Sequence, residues 1–127
     1  MSELQTLKKQ LSTCAARYKA AVRDALKYGP EAGFSEEEVG YLEEELSDLR
    51  RLDVSTEAGK KIVAKAVEQF RAAIQAEKSK AKQFTLKARQ AETEADDQYG
   101  LAERIYSRIG EYDDRYPWPS VFEQETI

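Results

Sequence analysis

From Thr56 to Asp113 the chain carries no proline and repeats an apolar or small residue in alternating steps of four and three. The seam reads Val63, Val67, Phe70, Ile74, Ala81, Phe84, Ala88, Ala91, Ala95, Ala102, Ile105, Ile109 and Tyr112, and only Glu77 and Gln98 interrupt it. Such a step keeps one face of a helix turned inward, and over this many heptads it predicts a coiled-coil-like helix. Unbroken, it would be about 87 Å long at ~1.5 Å per residue. What covers that face is the question on which the architecture turns.

The first part of the chain predicts two shorter helices. Leu4, Leu7, Leu11, Cys14, Tyr18, Ala21, Ala25 and Tyr28 keep heptad spacing from about Glu3, and Gly29-Pro30 is expected to end that helix. Ser35 then resembles an N-cap, with Glu38 three residues on completing a capping box and Phe34 with Val39 a hydrophobic staple. The second helix would carry Val39, Leu42, Leu46 and Leu49 inward and end near Leu52. After a break at Asp53-Val54-Ser55, Ser55 or Thr56 can cap the long helix. Short turns predict antiparallel stacking, with Glu43 to Glu45 beside Lys60, Lys61 and Lys65. A helix this short would leave the long one uncovered beyond about Ile74.

Charge supports opposed faces. By segment the net charge is +4 for residues 1–30, −8 for 31–57, +7 for 58–91 and −7 for 92–127, which leaves −4 for the chain. Alternating blocks favour helices that face oppositely charged partners over a uniform nucleic-acid or membrane field.

Two coverings of the overhang follow. In one, Gly100 ends the long helix, residues 101–112 fold back, and the chain is a compact four-helix monomer. Against it, the seam stays in phase past Gly100, and Asp96 and Asp97 would oppose the helix dipole. In the other, two chains pair antiparallel about Ala88 and Ala91, so that Phe84 meets Ala95 and Ile74 meets Ile105, with Ala81 and Ile109 also in the interface and Lys87 opposite Glu94. The expected fold is therefore all-α: a helical bundle whose very long helix forms an antiparallel coiled-coil-like homodimer.

Residues 1–113 form the expected helical domain, and residues 114–127 an extended tail. There Pro117 and Pro119 flank the only tryptophan, Trp118, between Tyr116 and Phe122. Two readings stand: these aromatics cover the chain's own helices, or they form a partner-binding segment.

Functional chemistry is sparse. The chain has no histidine, which removes the commonest general base and transition-metal ligand. It also lacks a phosphate-binding glycine loop, a nucleophile beside a base, and metal-ligand spacing. Cys14 reads as a buried small hydrophobe, and the Glu43-Glu44-Glu45 cluster as a solvated helix face. No enzyme, cofactor, metal or small-molecule substrate is expected. The lone cysteine, the absence of an apolar leader at Met-Ser-Glu-Leu and the lack of an ~18-residue apolar run predict a cytoplasmic protein with no membrane span. The expected role is a protein-interaction factor: an adaptor, an assembly or scaffolding factor, or an inhibitor. The alternative is nucleic-acid binding through Lys78, Lys80, Lys82, Lys87 and Arg89, weighed down by the overall acidity.

Overall fold

The computed structural model describes residues 2–123 and contains two long helices joined by a short corner: α1, Glu3–Arg50, and α2, Glu57–Gly110. A 3-10 turn, Ser120–Glu123, follows them, and no strand occurs among the described residues. The helices pack against each other as an all-α hairpin.

The main correction concerns Gly29-Pro30. No helix ends there: α1 passes through Pro30, and no described glycine has a positive φ, so Gly29 forms no left-handed cap. Proline removes one amide and crowds the carbonyl four residues back, a cost of about 3 kcal/mol in a helix interior. What outweighs it is register. Tyr28, Ala32, Ser35, Val39, Leu42 and Leu46 continue the four-three step of the first seam without a slip, so both halves of α1 turn the same face inward. Ser35 accordingly caps nothing; it is buried inside the helix, and Phe34 is exposed rather than stapled.

Because α1 has 48 residues, α2 has no bare overhang. The long helix is also continuous through Gly100, which excludes the fold-back at that residue. Thr56 caps α2 as its chemistry predicts: its Oγ1 accepts from the Gly59 amide at 3.0 Å, and its carbonyl accepts from the Lys60 amide at 3.0 Å. Gly59 is required here, since a Cβ would collide with the Val54 side chain and lie 2.8 Å from Thr56 Oγ1.

The chain divides into two compact units. The terminal unit runs to Tyr28 and resumes at Lys87; the corner unit is Gly29–Leu86. The terminal unit has a core of Leu7, Leu11, Cys14, Tyr18, Ala21 and Val22 from α1 and Ala95, Ala102, Ile105 and Ile109 from α2. Phe122 closes it, so the tail belongs to this unit and the expected division at residue 113 falls inside it. Across its open end, Glu3 accepts from Arg108 and, at 2.7 Å, from the Tyr112 hydroxyl, while Lys8 lies 3.8 Å from Asp113. The corner unit buries less: Ala32, Ser35, Leu46, Ile74 and Ala81. Its one interhelical ion pair among the described residues is Glu43 with Lys78 at 3.3 Å. The lengthened α1 thus moves Glu43 away from Lys60, which pairs with Glu57 instead.

Candidate functional site

The residues expected at a dimer interface are used inside the chain. Ile74 and Ala81 are buried in the corner unit, where Phe84 is half-buried; Ala88, Ala91, Ala95, Ile105 and Ile109 are buried in the terminal unit. The physical reason is the uninterrupted α1, which occupies the seam that a second chain was expected to cover. Lys87 lies over the Tyr28 ring at 5.0 Å, and Glu94 accepts from Gln98 Nε2 at 3.1 Å. Gln98 is itself buried, and its Oε1 has no hydrogen-bond partner among the described residues.

The tail aromatics pack on their own helices. Phe122 stands 5.0 Å from the Tyr18 ring and 5.6 Å from Tyr99, and Trp118 meets Tyr99 and Tyr106 edge-on at 5.8 and 5.1 Å. The Tyr106 hydroxyl donates to the Tyr116 carbonyl at 2.6 Å, and Lys8 sits 4.8 Å above the Tyr116 ring. Edge-to-face pairs of this kind contribute about 0.5 to 1.5 kcal/mol each beyond burial. With Phe122 only 5% exposed, a partner could take it only by unseating the tail. The two prolines therefore hold an extended path across the unit instead of presenting a free motif.

The basic stretch is not one stripe. Lys78 and Lys80 are two residues apart on a helix, hence about 200° apart around it. Lys78 pairs with Glu43, and Lys80 pairs with Glu77 at 3.5 Å. Lys82 and Arg89 are exposed, and Lys87 is engaged with Tyr28. By helical angle Lys78, Lys82 and Arg89 share one face, whereas Lys80 and Lys87 lie on the opposite side, so the five divide between two faces.

Cys14 lies in the core, where burial pushes its thiol up and the Arg17 charge offsets part of that rise. A protonated, enclosed thiol is a packing group. Tyr112 is also held above the usual phenol range, first because it donates to the Glu3 carboxylate. Among the described residues no group of three or more His, Cys, Asp or Glu could hold a metal ion. No helix among them is long and apolar enough to cross a membrane.

The feature that sequence reading passed over is the outer face of α1 in the corner unit. Phe34 and Tyr41 are 68% and 63% exposed, and Asp48 follows after another seven residues. A heptad step returns to nearly the same face, so these three form a line pointing away from the seam. Glu37 and Glu44 flank it on one side, and Glu38 and Glu45 on the other, all exposed and without an ion pair among the described residues. The signal was present in the spacing 34, 41, 48, but Phe34 read as a staple and the glutamates as solvated charge.

No family model, no curated protein and no solved structure matches the chain.

Proposed function

We propose that the protein is a non-enzymatic interaction factor, of the adaptor or assembly kind, and that the outer face of α1 around Phe34 and Tyr41 is its docking surface. The observation that carries this reading is an aromatic line, fully outside the core, bordered on both sides by unpaired carboxylates. Phe34 and Tyr41 lie one heptad apart on one exposed face, so they form a paired apolar patch rimmed by charge, the kind of patch that marks an interaction site. Aromatic anchors ringed by polar groups are the usual anatomy of a hot spot. The carboxylates select a partner with basic groups beside an apolar surface.

The test compares wild type with the double variant Phe34→Ser, Tyr41→Ser. Both side chains are mostly exposed, so thermal melting should be nearly unchanged. A protein from the native host retained stoichiometrically by wild type should be lost by the double variant and by Glu37→Lys, Glu44→Lys. Equal retention by all three removes this surface from consideration. Low-salt binding to a generic duplex DNA or RNA, lost in Lys82→Glu, would instead favour the nucleic-acid alternative.

A further inference from the structure

The corner unit's acidic face has a counterpart of opposite character on the terminal unit. There α1 and α2 border a groove of about 560 Å³. Leu7, Cys14 and Ile105 form its buried floor, and Leu101 adds an exposed apolar edge. Lys9 and Arg17 stand on one lip, Arg104 and Arg108 on the other, and no carboxylate lines it. Arg108 is engaged by Glu3, whereas Lys9, Arg17 and Arg104 have no ion pair among the described residues. We infer that the partner of the Phe34 and Tyr41 face is a second copy of this chain, which seats that face in this groove. The inference rests on the docking role proposed above and names its occupant.

Three features favour this pairing. The first is charge: the face carries Glu37, Glu38, Glu44, Glu45 and Asp48, and the groove carries four cations with a single carboxylate among their partners. The second is spacing. Phe34 and Tyr41 are seven residues apart, as are Leu7 and Cys14 on the floor, so anchors and floor both repeat at about 10.5 Å. The third is distribution. A ligand with one anionic head calls for cations gathered at one end, but here Lys9 to Arg17 spans more than two turns, with Arg104 and Arg108 one turn apart across from them. A row of carboxylates repeating along a helix is what such lips fit. The second copy would complete a local three-helix packing, its acidic flanks against the basic lips.

Each chain offers one face and one groove, so two chains that exchange them reciprocally close as a dimer, and chains that do not continue to larger assemblies. The full-length chain should therefore grow in average mass with concentration across the micromolar range at about 50 mM salt, and less so at higher salt as the charges are screened. In sedimentation, Arg104→Glu and Glu44→Arg should each weaken association at least about tenfold, a change of ~1.4 kcal/mol. A chain carrying both changes should recover most of it, because each new carboxylate then meets a new guanidinium, a recovery that misfolding could not produce. Association indifferent to both changes, or no recovery in the double variant, overturns the inference, as does a monomer at every concentration. If a monomer still binds a host protein through Phe34 and Tyr41, only the choice of partner has failed. If it binds none, the docking role falls as well.

Discussion

The two units are built on the same seam and differ in what lies over it. In the terminal unit a third layer, the chain from Tyr116 to Phe122, covers the helix pair, and Leu11, Ala102 and Ile109 are almost entirely withdrawn from water. In the corner unit two helices have only each other, the seam carries alanine and serine at Ala32, Ser35 and Ala81, and Val63, Val67 and Phe70 stay half-exposed. Regular heptads are thus enough to set pairing and register, but not to make a deep core. Depth comes from the short aromatic segment that sequence periodicity does not describe.

The comparison is broken most severely by removing large side chains from the terminal core. Ile109→Ala and Phe122→Ala should each lower unfolding free energy by roughly 3 to 5 kcal/mol in a denaturant titration, since both sites are enclosed. Leu46→Ala in the corner unit should cost nearer 2 kcal/mol, because the gap left in a two-helix layer can collapse or admit water. Native-state hydrogen exchange sharpens the same contrast: amides between Gly29 and Leu86 should open before those of the terminal unit, and uniform protection would contradict it. Pro30→Ala should raise stability by roughly 1 to 3 kcal/mol, as it restores an amide to a helix already formed through that position. A loss of stability there would mean that the proline is needed where it stands. Thr56→Ala, which removes the corner cap, should cost about 1 kcal/mol.

The smallest effect concerns the open end. The bond from Tyr112 to Glu3 favours the neutral phenol, so its contribution is complete below the ordinary tyrosine range and is lost as pH rises through the raised value. In Glu3→Gln, phenolate absorbance assigned to Tyr112 by comparison with Tyr112→Phe should appear at lower pH than in wild type. An unchanged titration would dissociate the shift from that carboxylate.

Much of this was legible in the residues. The α2 seam and the buried Cys14 follow directly from spacing and chemistry, the cap was narrowed to Ser55 or Thr56, and self-coverage by the tail was one of its two stated readings. Gly29-Pro30 misled because each residue is a helix stop when judged alone, and Ser35 with Glu38 supplied a plausible restart. The phase from Tyr28 through Ala32 to Ser35 carried the contrary signal, and it was decisive: one continuous α1 removes the reason for pairing α2 with another α2. The basic groove was illegible for a different reason. Lys9 and Arg104 are far apart in sequence, and only the antiparallel packing of the two helices, which also joins Glu3 to Arg108, brings them together.

The cap at Thr56 and Gly59 also bears on the order in which the chain folds. Residues meeting near this corner are close in sequence, as Glu43 and Lys78 are, whereas Glu3 and Arg108 close a loop of about a hundred residues at a greater entropic cost. The shallow unit is thus expected to form first, and the deep one, with its aromatic cover, to lock the product afterwards. Kinetics would then invert the ranking by stability: Leu46→Ala should mainly slow folding, and Phe122→Ala should mainly speed unfolding.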